Sequence, residues 1–308
     1  MLATVLLALA ASLCWGTADF TAGLKARRVP LSGVLALAQG VGLILAVPVV
    51  IASGRPFPDA GQALASLGAG AAVIIGLACF YRALATGTMS VVAPVAATGV
   101  AIPVLAGLAG GNHLAAVQAI GMLAAVFGVV LSSRHPQTGA VASSPAGAQS
   151  PAGGGAGAGG EPAAAAAAAR RVHRDATALA LVAAVAFGLY FLLAHIGTRG
   201  GVGWLLMLAN VTGVLGVLAI GALTRSPPRP PPRRDLVALL LAGVLEFAAT
   251  GLYGLANRHG ELSVVAVAGS LYPVATVLLA RVVLRERLLA VQALGVSLAL
   301  VGVALIAA

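Results

Sequence analysis

AVQALG, residues 290–295, repeats AVQAIG at residues 116–121 with one letter changed. The echo extends outward on both sides. SVVA at 263–266 repeats SVVA at 90–93, Gly260 answers Gly87, Tyr253 answers Tyr81, and Phe187-Gly188 answers Trp15-Gly16. Across these matches the offset drifts only from 172 to 174 residues. Short matches arise by chance in Ala/Val-rich sequence, but a fixed order at a near-constant offset does not. The chain is a duplication, with residues 1–134 as one half and 175–308 as the other. Between them, 135–174 is rich in Ala, Gly, Pro and Ser and has no hydrophobic period, so it is expected to be a flexible linker whose alanine run can be briefly helical.

Composition decides the solvent. Sixty percent of the 308 residues are hydrophobic and eight percent are charged, whereas a soluble domain is about a quarter charged. Such a chain cannot cover itself with polar surface. Runs of roughly 20 apolar residues are long enough to cross a bilayer as helices. Ten such windows occur, near 2–22, 31–53, 62–82, 88–109, 114–133, 176–197, 202–224, 235–256, 262–283 and 288–307. The expected fold is therefore an all-α membrane protein of ten transmembrane helices. Five spans per half is an odd number, so the second half enters the membrane inverted relative to the first. Inverted repeats recur in secondary transporters, which place the substrate near the midplane between the halves. The opening MLATVLLALA lacks the basic start of a signal peptide, so the first span is expected to be retained.

The net charge of +10 comes from short basic clusters between apolar runs, without the aromatic interleaving that base stacking needs. Nucleic acid is not an expected partner. Loops after odd-numbered spans carry fifteen Lys and Arg, and loops after even-numbered spans carry only Arg55, Arg199 and Arg258. Positive loops stay cytoplasmic, which predicts both termini outside and the linker inside. Arginine far in excess of lysine, with abundant Ala, Gly and Val, points to a GC-rich bacterial genome and hence to a bacterial cytoplasmic (inner) membrane. Cys14 and Cys79 lie within apolar runs, so no disulfide framework is expected.

SVVAVAGSLYPVATVLLARVVLRERLLAVQALGVSLALVGVAL, residues 263–305, resembles the second repeat of the EamA family within the drug/metabolite transporter superfamily. The features that carry the likeness are Ser263, Pro273, Glu286, Gln292, Gly295 and Gly302, together with Trp15-Gly16 in the first span. The resemblance covers both halves. It departs at GGNH, residues 110–113, where a Gly-Glu-Arg-like turn is usual and Asn112 replaces the acid. Members of the family are also commonly drawn with both termini in the cytoplasm, opposite to the charge count here. The resemblance implies a secondary carrier of small metabolites or drugs, often an exporter, working by alternating access.

A charged side chain at mid-bilayer costs about 2.5–3.5 kcal/mol on insertion scales, so ionisable residues there are functional candidates. Glu246, in AGVLEFAATG at 242–251, sits near the centre of its span. A carboxyl there can exchange a proton, hold the amine or cation of a substrate, or serve only as a packing residue. Asp19, near the end of span one, is either an interfacial acid paired with Lys25 and Arg27 or a guard at a cavity mouth, since Trp15 lies four residues before it on the same face. Tyr253 shares a face with Glu246 two turns away. Gln39, Asn210 and Tyr190 can hydrogen-bond a solute or join neighbouring helices. Tyr272 precedes Pro273, which can break span nine and free a carbonyl; Pro94 and Pro103 are placed to do likewise in span four. Glu286 reads as a solvated turn residue.

The expected function is thus a secondary active transporter of a small molecule, an exporter coupled to protons, using Glu246, Asp19, Trp15, Tyr253, Tyr190, Asn210, Gln39 and Tyr272. It is not expected to be an enzyme, nor to carry a metal or cofactor. The sequence has neither H-E-x-x-H nor G-x-S-x-G, and no phosphate-binding P-loop. A membrane-embedded enzyme and a non-transporting scaffold or receptor are the alternatives.

Overall fold

Long apolar runs free of interior charge leave the backbone one way to satisfy its own polar groups in lipid, and that is the helix. The computed structural model describes residues 2–26, 29–86, 96, 98–111, 116–132, 161–225, 227–284 and 290–307. Among these there is no strand. Eleven α-helices follow in order: α1 Leu2–Ala26, α2 Leu31–Ser53, α3 Ala60–Thr86, α4 Ala101–Ala109, α5 Ala116–Ser132, α6 Glu161–Thr198, α7 Val202–Leu223, α8 Arg233–Asn257, α9 Leu262–Gly269, α10 Tyr272–Leu284 and α11 Ala290–Ala307. Large apolar side chains such as Ile44, Leu123 and Val237 point outward and are exposed. A surface of that kind suits hydrocarbon rather than water.

Among the described residues six helices are long and apolar enough to cross a membrane: Leu2–Lys25, Leu31–Ser53, Ala60–Ala83, Asp175–Thr198, Val202–Leu223 and Arg233–Asn257. The other four expected spans differ. The fourth is described only from Thr98, as a 3-10 turn running into the nine-residue α4, and Pro94 lies outside the described residues. Pro103 sits in the first turn of α4, where its missing N–H removes no helical bond. The fifth is the 17-residue α5. The ninth is two helices, α9 and α10, and the tenth is the 18-residue α11.

The linker expectation also meets a difference. α6 begins at Glu161, inside the stretch read as linker, because an alanine run is the strongest helix former and Pro162 is pre-set for a first turn. Residues 133–160, Asn112 and Glu286 lie outside the described residues.

The helices pair across the two halves. α1 packs on α8, α3 on α6, α2 on α7 and α5 on α11. Under the residue correspondence, α1 matches α6 and α3 matches α8, so exchanging the halves maps these pairings onto themselves. At the α2–α7 contact the reciprocity reaches single residues. Gln39 lies against Gly213 and Asn210 lies against Gly42. On each helix the amide stands three residues before the glycine that admits its partner's amide. The Asn210 side-chain N–H also donates to Leu206 O at 2.8 Å.

The break between α9 and α10 has a chemical cause. Pro273 has no N–H for the carbonyl four residues earlier, which is Gly269 O. Ser12 of α1 supplies the missing donor at 2.8 Å. One turn along, Gly16 lets the α1 backbone close on α10: a Cβ there would stand 2.5 Å from Ala275 Cβ and 2.6 Å from Tyr272 O. Thr276 then donates to Gly16 O at 3.2 Å. α1 and the broken helix are held as one wall.

Candidate functional site

That wall carries Trp15, Asp19 and Tyr272. The α1–α8 pairing brings Glu246 to it, and the α3 and α6 helices close the sides with Tyr81, Tyr190 and Phe191. The Trp15 indole lies beside the Glu246 carboxyl. Tyr81 donates its hydroxyl to Asp19 Oδ1 at 2.7 Å. Asp19 and Glu246 are near enough to interact electrostatically, and Tyr81 and Tyr272 feel both. Tyr190 donates to Thr250 Oγ1 at 3.2 Å and reaches Glu246 through space. Two carboxyls, one from each half, thus share a site walled by aromatic rings. Asp19, Glu246 and Tyr272 keep part of their surface accessible, whereas Trp15, Tyr81 and Tyr190 are buried.

Trp15 belongs at the same time to an aromatic layer. Its ring centroid lies 5.8 Å from Tyr190, 5.8 Å from Phe191 and 5.5 Å from Tyr253. Edge and tilted ring pairs of this kind contribute about 0.5–1.5 kcal/mol each beyond burial. Tyr253 is fully buried and donates to Phe191 O at 3.3 Å. Behind it, the Asn257 side-chain N–H donates to Tyr253 O at 3.0 Å, and the His195 ring pairs with Asn257 Oδ1 at 2.8 Å.

Beyond this layer lies a cavity of about 710 Å³. His195, Arg199, Arg258, His259 and Glu261 line it, with Thr4 and Gly110. Eleven residues of α8 separate Glu246 from Asn257, about 16 Å of helix rise. The aromatic layer fills that distance, so the carboxyl site is closed toward this basic vestibule.

Six of the eight residues expected from sequence come together: Trp15, Asp19, Tyr190, Glu246, Tyr253 and Tyr272. Gln39 and Asn210 do not join them; they interlock with glycines where α2 meets α7. Of the cluster that Asp19 was expected to pair with, Arg27 lies outside the described residues and Lys25 is engaged elsewhere. Lys25 Nζ instead reaches across to Asp235 Oδ1 at 2.8 Å, because the α1–α8 packing sets those two helix ends side by side. Sequence reasoning did not select Tyr81, Thr250 or Phe191. Tyr81 carried a signal, being the repeat counterpart of Tyr253, and Thr250 stands four residues from Glu246 on one face.

The model of the EamA-like transporter family matches residues 2–134 and again 176–308. The chain belongs to this family. The protein is therefore an integral multi-pass membrane transporter of the drug/metabolite superfamily, built as two EamA repeats. A solved crystal structure at 18% identity superposes with a TM-score of 0.69, covering 98% of this chain and 95% of the other, which shows the shared fold. Comparison with curated proteins gives no match. In this EamA-like chain the tryptophan-glycine pair of the first helix has two distinct tasks: Gly16 admits α10, and Trp15 faces the carboxyl site.

Proposed function

We propose that the chain is a secondary carrier that moves a small organic solute outward by alternating access and exchanges a proton at Glu246. The observation that carries this is the meeting of Asp19 and Glu246, one carboxyl from each half, at a site sealed on one side by aromatic rings. Two related halves sharing one ionisable site suit a carrier that exposes it first to one face and then to the other. In this reading the halves are inverted five-span repeats, ten spans in all, set in the cytoplasmic membrane of a bacterium. The basic vestibule borders the loops after even-numbered spans, which the charge count puts outside. The seal toward it then describes a carrier waiting for solute from the cytoplasm, as an exporter does.

A thermal-shift screen of amino acids, nucleobases and organic cations on the purified protein identifies ligands, since a solute binding only the folded state raises its apparent stability. Flux of the hits is then followed in proteoliposomes under a pH gradient. Glu246→Gln keeps shape and hydrogen bonding but cannot ionise, so it is expected to insert normally and lose uphill transport. Glu246→Asp is expected to keep part of it with a displaced pH optimum. Uphill flux of wild-type size from Glu246→Gln throughout the neutral pH range refutes the proton role. Absence of any solute flux from the unaltered chain refutes the carrier.

A further inference from the structure

Resting on that reading, we infer that the solute is an organic cation, an amine or quaternary centre on an apolar body, held between Asp19 and Glu246 against the rings of Trp15 and Tyr272. The first ground is charge. No lysine, arginine or histidine among the described residues reaches either carboxyl; Asp19 is met by the Tyr81 hydroxyl and Glu246 by the Trp15 indole. The nearest lysine on the same helix, Lys25, is already taken by Asp235. Among the described residues these two neighbouring, partly enclosed carboxyls lack a counter-charge, and such a pair calls for positive charge from outside.

The second ground is the kind of wall around them. A divalent metal ion needs several oxygen or nitrogen ligands. Among the described residues no group of three His, Cys, Asp or Glu is placed to hold one. Around the carboxyls stand the aromatic side chains of Trp15, Tyr81 and Tyr272 instead, and an ammonium group over an aromatic face gains about 0.5–2 kcal/mol. Tyr272 adds a third ground. It lies within reach of both carboxyls, and its hydroxyl has no hydrogen-bond partner among the described residues. A polar rim atom left open beside an accessible pair of carboxyls fits a bound ligand better than it fits a packed core.

The chain offers a direct reporter. It has two tryptophans, and the second, Trp204, donates to Arg55 O at a loop and meets Phe57 edge-on, away from the site. In Trp204→Phe, all tryptophan fluorescence comes from Trp15. Phenethylammonium is expected to change that fluorescence saturably, at least tenfold more tightly than 2-phenylethanol, its neutral analogue, or 3-phenylpropanoate, its anionic one. Asp19→Asn with Glu246→Gln is expected to abolish the preference while thermal unfolding stays cooperative. Equal affinity for the neutral or anionic probe overturns the inference, and this comparison needs no site variant to fold. Proteoliposome flux of the same probes separates the two claims. Phenethylammonium that binds with the stated preference but is never carried removes the transport reading and leaves the cation site. Carriage of the neutral probe without preference for the cation does the reverse.

Discussion

Tyr81 and Tyr253 are the same residue of the two repeats, and each donates its hydroxyl to the residue 62 positions before it. Tyr81 meets the Asp19 carboxyl at 2.7 Å, and Tyr253 meets the Phe191 carbonyl at 3.3 Å. Duplication placed both hydroxyls alike, and divergence gave one an ionisable acceptor and the other a neutral one. Bonds to charged acceptors contribute about 1.5–3 kcal/mol and neutral ones about 0.5–1.5 kcal/mol. Tyr81→Phe is therefore expected to move the pH profile of ligand binding, because it removes the hydroxyl that meets Asp19, which also interacts with Glu246 and Tyr272. Tyr253→Phe is expected to lower thermal stability modestly and leave the profile in place. Equal displacement of the profile by both variants would count against a special role for Asp19.

The relationship also shows what the sequence made legible. The repeat, the six long apolar helices and the depth of Glu246 follow from composition and spacing, because a bilayer enforces apolar length directly. Tyr81 was visible only as a repeat mate. Its partnership with Asp19 depends on α3 standing beside α1, which no local pattern encodes. For Gln39 and Asn210 both readings stayed open in the sequence for the complementary reason. An amide within an apolar run looks the same whether it faces a solute or a glycine on the next helix, and Gly42 and Gly213, three residues further on, settle it only once α2 and α7 are seen to pair.

The break in the ninth expected span makes a separate prediction. Ser12→Ala removes the donor to Gly269 O and is expected to cost about 1–3 kcal/mol, the penalty for a buried unpaired carbonyl. Pro273→Ala restores a backbone N–H four residues after Gly269. In the Ser12→Ala background it is expected to return much of that loss, with a coupling of about 0.5–3 kcal/mol in a double-mutant cycle. Thermal unfolding in detergent measures it. Strict additivity would mean that Gly269 O is satisfied in another way.

Two glycines at helix crossings are expected to behave differently although both are crowded. At Gly16 an added Cβ meets Ala275 Cβ and a backbone oxygen, neither of which can rotate away. Gly16→Ala should cost about 1–3 kcal/mol through overpacking. At Gly213 the obstacle is the end of the Gln39 side chain, with Cδ 2.6 Å away. Gln39→Ala together with Gly213→Ala removes the clash and gains roughly 0.5–1 kcal/mol from helix propensity. The pair is expected to fold close to wild type and to bind phenethylammonium unchanged, since neither residue lies at the carboxyl site. Loss of binding in a well-folded double variant would place Gln39 back among the functional residues.

Orientation can be argued from two independent directions. Lys25, in the last turn of α1, pairs with Asp235, in the first turn of α8, and Gly33 abuts Arg229. The C-terminal end of α1, the start of α2 and the segment 229–235 therefore share one end of the bundle. At the other end Thr4 donates to His259 O, Trp204 to Arg55 O, and Gly200 packs on Pro58. The chain start and the loops near 55, 200 and 258 share that end. Two of the arginine-rich stretches thus gather at one end of the bundle and three arginine-poor ones at the other, the separation expected where the cytoplasmic face prefers positive charge. A reporter active only in the cytoplasm is expected to be silent when fused after Ala308 and active when inserted near Gly155. The opposite pattern would mean that charge does not set the orientation of this chain, and it would turn the basic vestibule toward the cytoplasm, leaving the carboxyl site sealed from inside and the direction of transport reversed.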